Sequence, residues 1–397
     1  MRGYYLLLKS HSFPVTFGWI LTFFSSLGQT FLISLFVPFL LSELQLSKAL
    51  FGIYYALATL IASGLLLKFG PNMDRKAVRP QVNITIWLLA LSSGLLAATV
   101  HPVMLFLSLV GLRYGGHCMM SHISQTVVSR YFDENRGKAL SFTSLGYSMG
   151  EMVFPLLMGG IMAMGSWRVA AIVGSLLLLA MLPVLGRMDL ESLNPSVTPD
   201  STQTATHEKA NFYKRIVSES RFWIIAPSVF ALSFVTTGIF FYQYVLAGQR
   251  GWPLELYTLF FAAYAGVRLL FSIYGGLLID RHSAISLFPW HLIPFFFGTL
   301  AIAILPGLSA AAVFLTLTGI SMGLAGVIKT AILAESYDVG NLGRVRSIFA
   351  TVTVVSTATA PLIYGIVLDV SGFDALATGS AVLLGLATLN AFRIKRR

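Results

Sequence analysis

A constant offset of 206 residues carries one half of this chain onto the other. Gly70, Asp74 and Arg75 fall on Gly276, Asp280 and Arg281, and Tyr131, Gly137, Ser141 and Pro155 fall on Tyr337, Gly343, Ser347 and Pro361. A repeat of about half the chain, with charged residues in register, restricts the fold to two copies of one architecture. Where the repeated unit is apolar, the copies are similar helical bundles with a site expected between them.

Composition supplies the solvent. The 397 residues are 56% hydrophobic and 11% charged, with a mean hydropathy of +0.78, so lipid must surround most of this surface. The single cysteine, Cys118, excludes a disulfide framework and any multi-cysteine cluster. The net charge of +11 does not point to nucleic acid, because the basic residues lie between apolar runs and form no stripe or RNA-binding motif.

Apolar runs of roughly twenty residues number about twelve, six in each half. The loop after the second run carries Asp74, Arg75, Lys76 and Arg79; the loop after the fourth carries Arg130, Arg136 and Lys138. Arg281, Arg344 and Arg346 occupy the matching loops of the second half, whereas the alternate loops are nearly uncharged. The positive-inside rule then places both termini in the cytoplasm, and a bacterial inner membrane is the expected location. The first run starts after Pro14, is long and lacks a small-residue cleavage site, so it reads as a retained helix. Between the halves, LNPSVTPDSTQTATHEKA cannot bury a face and reads as a linker, with a short interfacial helix around residues 210–218. The expected organisation is a six-helix bundle over 1–188, a cytoplasmic linker over 189–221 and a second six-helix bundle over 222–397.

The segment KFGPNMDRKAVRP, with its partial copy GLLIDRH, resembles the loop signature G-x-L-A-D-R-x-G-R-K of the major facilitator superfamily. The first copy departs at Ala77 and Val78, and the second lacks the basic end. The resemblance covers nearly the whole chain and implies an all-α membrane protein of about twelve helices in two pseudo-symmetric bundles, moving a solute by alternating access. It makes Asp74, Arg75, Asp280 and Arg281 gate residues. The string YFDENRGKA is similar to the corresponding loop of the monocarboxylate-porter and oxalate–formate-antiporter branch. The drug-antiporter signature G-P-x-x-G-G is not met by PLLMGG, which makes a drug or metabolite exporter an alternative only. Within the fifth run, Gly146 and Gly150 permit close helix approach, and Pro155 with its counterpart Pro361 is expected to bend a helix.

Charges that break the repeat are the ones to examine for substrate chemistry. Arg113 aligns with Gly319, Glu151 with Thr357, Arg268 with Ala62 and Lys329 with Ile123. All four fall within predicted spans, where each costs about 2.5–3.5 kcal/mol to insert even on a lenient scale. In the superfamily fold, helices one, four, seven and ten line the cavity, with two, five, eight and eleven beside them; carried over, all four charges lie on such helices. Arg113 reads either as an anion ligand or as the partner of Glu151 in a structural ion pair. Arg268 has no acidic residue within a helical turn in sequence, and its guanidinium suits a carboxylate. Glu151, with His117, is the candidate for proton coupling. Lys329 reads as a gate residue pairing with Glu335 or the lipid interface. Gln29 and Tyr242 supply candidate hydrogen bonds to substrate.

His117, Cys118, Met120 and His122, followed by Met158 and Met162 on the next helix, form a second constellation of soft and imidazole ligands. It admits a copper or other metal-ion importer, although methionine is also a routine packing residue in apolar helices. No Walker sequence, dinucleotide fingerprint or nucleophile elbow occurs, so an ATP-driven pump or an enzyme has no support. The expected partners are a small organic anion of carboxylate type, protons and the bilayer, with no nucleic acid and no cofactor; the chain is expected to act as a monomer.

Overall fold

In the computed structural model, residues 12–132, 136–195, 214–337 and 342–394 are described. Twelve of their helices are long and apolar enough to cross a membrane: Ser12–Glu43, Lys48–Met73, Val78–Ala97, Pro102–Tyr131, Lys138–Met164 and Trp167–Gly186 in the first half, then Ser220–Gln249, Leu254–Ile279, Ala284–Ile304, Gly307–Ser336, Val345–Val370 and Gly372–Ala391. A span in lipid must satisfy its backbone internally, which is why these runs are helical. Side chains such as Leu67, Met164 and Val370 stay 80%, 92% and 79% exposed, as a lipid-facing surface allows. The chain divides into two compact units between Thr198 and Pro199, with the stretch Gln243–Val245 grouped with the first.

Within the first unit the first span packs on the fifth, and the third on the sixth. A Cβ at Gly150 would lie 2.6 Å from the carbonyl oxygen of Phe23, and one at Gly146 would lie 3.0 Å from the Phe23 nitrogen. The two glycines therefore let the fifth span touch the backbone of the first, as their spacing leads one to expect. Thr22 donates to the Thr143 carbonyl at 2.5 Å and Ser124 to the Gly18 carbonyl at 2.8 Å. In the second unit Gly319 and Gly323 do the same for the tenth span against the eighth, a Cβ at Gly323 meeting Phe271 Cβ at 2.8 Å. Pro155 and Pro361 both lie inside continuous helices.

The beginning of the expected linker does not run free. Leu190 and Leu193 are buried on the first unit. Arg130 donates to the Met73 and Leu193 carbonyls at 2.8 Å each, and Asn194 Oδ1 accepts from the Val78 backbone at 2.8 Å. The two leucines supply the apolar face that the polar composition around them hides. Residues 214–218 are helical, with Ile216 buried among Phe222, Ile225 and Phe349; residues 210–213 of the expected interfacial helix lie outside the described residues.

Each unit ties three helix ends with one arginine. Arg168, at the start of the sixth span, pairs with Glu43 at the end of the first, donates to the Thr99 carbonyl at 2.9 Å and lies 4.4 Å over the Trp167 ring. Arg250, at the end of the seventh span, pairs with Asp374 at the start of the twelfth, donates to the Ile302 carbonyl at 3.2 Å and lies 5.8 Å over the Phe373 ring. Arg168 and Asp374 differ by the repeat offset, so the clasp is repeated with its signs exchanged.

Candidate functional site

The first span is broken in its middle. An α-helix over Ser12–Ser25 tightens to a 3-10 turn over Ser26–Gly28, Gln29 is extended at φ −87° and ψ 154°, and the helix restarts at Thr30. The new helix is seeded by the Gln29 carbonyl, which accepts from Leu32 at 3.2 Å and Ile33 at 3.0 Å. A break of this kind survives inside a membrane only where other groups satisfy the released backbone.

Those groups come from the fourth span, whose middle is also irregular. Arg113–Met120, sequence RYGGHCMM, forms π-helix between the α-helices Pro102–Leu112 and Ser121–Tyr131. Wide turns of this type are uncommon and concentrate at functional sites. Gly116 lies against the break, where a Cβ would come within 2.6 Å of the Gly28 Cα, and a Cβ at Gly115 would meet Leu89 at 3.0 Å. Neither a side chain at 116 nor one at 28 fits between these backbones.

The π segment opens with Arg113, a guanidinium 1% exposed. Its Nη1 donates to the Gly28 carbonyl at 3.1 Å, its Nε donates to Thr59 Oγ1 at 3.2 Å, and its carbon lies 5.0 Å over the Tyr55 ring. Tyr55 and Thr59 are one helical turn apart on the second span and so share a face. The Tyr55 hydroxyl is in turn bonded to Thr30 Oγ1 at 2.6 Å. One turn along the fourth span, His117 Nδ1 donates to Gln29 Oε1 at 2.8 Å. Arg113, His117 and Gln29 thus come together around a helix break that the sequence does not announce. Thr59, Tyr55, Thr30 and Gly28 are the members that sequence reasoning missed; the Tyr–Thr pair at i, i+4 facing an apolar bundle was the available signal.

The ion pair with Glu151, one of the two readings of Arg113, is not formed among the described residues: every hydrogen bond of Arg113 goes to a neutral oxygen. The reason is geometric. Arg113 is turned toward the first and second spans, whereas Glu151, 2% exposed, follows a glycine pressed against Phe23 and Ser26.

His122 Nε2 is bonded to the Gly70 carbonyl at 3.2 Å, Cys118 and Met120 are buried, and Met162 is 7% exposed. Met158 lines an apolar cavity with Leu27, Phe36 and Leu112. Among the described residues no three His, Cys, Asp or Glu side chains are grouped as a metal site.

In the second unit Arg268 is half-buried on the eighth span, and its carbonyl oxygen lies where a Cβ at Gly323 would meet it. The Tyr242 hydroxyl donates to the Pro361 carbonyl at 3.0 Å. Lys329 donates to Thr353 Oγ1 at 2.9 Å and does not pair with Glu335. Glu335 caps a neighbouring helix, accepting from the Ala284 and Ile285 backbones at 2.8 and 3.1 Å. Six residues of helix turn the two side chains to different faces, which defeats the expected pair. Arg75 and Arg281 are exposed; the side chains of Asp74 and Asp280 lie outside the described residues.

Twelve apolar spans in two units, with a buried cation braced against a broken helix, define a polytopic membrane protein of secondary-transporter architecture. The sequence profile of the Major Facilitator Superfamily matches residues 18–327, and the chain belongs to that superfamily. It is a transport protein and not an enzyme.

No curated protein sequence matches the chain significantly. Among solved structures, a bacterial homologue of the human lysosomal transporter Spinster is similar in its inward-facing, unoccupied form, at 14% identity and a TM-score of 0.76 over 96% of each chain. Its occupied form matches at 12% identity and a TM-score of 0.77, again over 96% of each chain. A point mutant of the nucleoside transporter NupG matches at 11% identity and a TM-score of 0.74, over 96% of this chain and 98% of that one. At these identities the likeness is one of fold.

Proposed function

We propose that the protein is a secondary transporter of a small organic anion of carboxylate type, driven by protons. The observation that carries the reading is Arg113. Burying an ion costs several kcal/mol even after relaxation, and a desolvated cation–π contact such as that with Tyr55 returns roughly 2 kcal/mol. Two neutral oxygens complete its bonding among the described residues. A guanidinium has five N–H donors, so at least one edge remains to take a carboxylate, which would supply the missing charge and planar geometry.

On this reading Arg113, Arg268, His117, Gln29 and Tyr242 bind substrate, each within its own unit. Glu151, a buried carboxylate on the fifth span, is assigned the proton, with His117 as a second candidate. Asp74, Arg75, Asp280, Arg281 and Lys329 are assigned to the gates, and the halves rock about the segment 189–221. A bacterial inner membrane, cytoplasmic termini and a monomeric state belong to the same proposal. Uptake into proteoliposomes with radiolabelled carboxylates, sulfonates, nucleosides and copper(I) tests it. The expected result is accumulation of a carboxylate that Arg113→Gln abolishes. Uptake of neutral nucleoside or of copper(I) alone would reject the anion.

A further inference from the structure

The second unit carries a groove that the transport reading does not use. It encloses about 540 Å³ between the seventh, eleventh and twelfth spans, walled by Trp223, Pro227, Phe230, Val352, Leu386 and Asn390. That volume falls in the roughly 300–1,000 Å³ range of small-molecule sites. The walls are apolar apart from Asn390, yet Trp223 and Leu386 remain 59% and 61% exposed, so the packing of the described residues does not fill the space. Scattered exposed leucines are ordinary on a lipid-facing helix; a concave channel of this size asks for an occupant.

The mouth of the groove is basic. Trp223 Nε1 donates to the Val217 carbonyl at 2.8 Å, which seats the short helix of residues 214–218 beside the groove. That helix exposes Lys214 and Arg215. On the opposite wall, Asn390 Nδ2 donates to the Trp223 carbonyl at 2.8 Å, and the Arg393 backbone donates to the Asn390 carbonyl at 3.1 Å, so an exposed Arg393 ends the same wall. The neighbouring acid, Glu219, lies 4.0 Å from Arg215. An amphipathic tryptophan at the rim, an apolar trough beside it and exposed cations on the segments that flank it match one ligand chemistry.

We propose that this groove is a binding site for an anionic phospholipid, its acyl chain along Trp223, Phe230 and Leu386 and its phosphate among Lys214, Arg215 and Arg393. A zwitterionic lipid would meet the same trough but gain less from the cations. The site is independent of the substrate assignment above.

Trp223 supplies the probe. The full-length protein is placed in phosphatidylcholine nanodiscs containing an equal fraction of either bromine-labelled phosphatidylglycerol or bromine-labelled phosphatidylcholine. The quenching of Trp223 is obtained by subtracting the signal of Trp223→Phe from that of the parent, which has six tryptophans. The expected result is several-fold stronger quenching by the phosphatidylglycerol. In the triple variant Lys214→Gln, Arg215→Gln, Arg393→Gln that preference should disappear, because each basic residue near the surface contributes about fivefold to the affinity for an anionic lipid. These surface changes leave the groove itself intact, so quenching by phosphatidylcholine should persist. Equal quenching by the two lipids, an anionic preference unaltered by the triple variant, or no quenching by either would overturn the proposal.

Discussion

The guanidinium of Arg113 and the carbonyl of Gly28, 85 residues apart in sequence, meet at 3.1 Å where the first span loses its helix. Two irregularities, a broken first span and a π-helical turn in the fourth, are therefore one feature: the side chain that opens the π turn satisfies the oxygen that the break releases. On the function proposed above, a substrate that draws Arg113 toward itself would act on the break directly.

This geometry makes Gly116 a sharp test of packing. Gly116→Ala would place a Cβ within 2.6 Å of the Gly28 Cα and 2.7 Å of its nitrogen, and backbone on both sides cannot yield as a side chain can. Overpacking of this kind costs about 1–3 kcal/mol. Thermal unfolding should show a clear loss of stability in Gly116→Ala and little change in Gly160→Ala, where the added carbon meets open space. Equal stability of the two variants would contradict the close approach.

Much of this fold was legible in the sequence because its signals are periodic and local. The 206-residue offset and the apolar runs give twelve spans; Gly146 and Gly150, one turn apart, mark a close approach of the fifth span to another helix, without naming the first as its partner. The break at Gly28–Gln29 was not legible, because Ser26, Leu27 and Gly28 are as apolar and small as any mid-span turn. Its cause lies in Arg113 and Gly116, distant in sequence. The same limit explains why two of the alternative pairings do not form. Arg113 and Glu151 were matched by charge and depth, and Lys329 and Glu335 by proximity in sequence, whereas the side chains are sent elsewhere by Thr59, Thr353 and the Ala284 helix. Leu190 and Leu193 were hidden inside a segment whose average composition is that of a linker.

Arg268 tests the anion assignment in the second unit. Arg268→Lys keeps the charge but loses the planar fork, and it should reduce carboxylate uptake by about tenfold, the scale of a lost charge-assisted hydrogen bond. Initial uptake rates across a substrate series measure this. Unchanged substrate affinity in Arg268→Ala would remove the residue from the site.

Glu151 tests the coupling. Glu151→Gln mimics the protonated carboxyl, so the variant should retain counterflow exchange of substrate and lose acceleration by an inward proton gradient. Both are measured in the same proteoliposomes with and without a pH step. Accumulation equal to the parent under that gradient would assign Glu151 to structure and move the proton site elsewhere.

The two arginine clasps predict a sign-dependent rescue. Arg168→Glu opposes Glu43 and should lower the melting temperature, and adding Glu43→Arg should recover part of the loss. The effect should shrink at high salt, because both side chains are about one-third exposed, at 33% and 39%, and such pairs are screened. Asp374→Arg, rescued by Arg250→Glu, should behave alike. A double reversal no better than the single one would mean that contacts to the Thr99 and Ile302 carbonyls, not the ion pairs, hold these ends.

Under the proposed function, Arg113 is the buried cation that takes the substrate's anionic group. The most direct test of this is equilibrium binding of the transported carboxylate to purified protein, comparing the parent with Arg113→Lys and Arg113→Gln while thermal unfolding confirms that each variant is folded. Affinity is expected to fall by about tenfold or more in the lysine variant and binding to be abolished in the glutamine variant. Binding of parental strength in a folded Arg113→Gln would contradict it, leaving Arg113 as a brace for the broken first span alone.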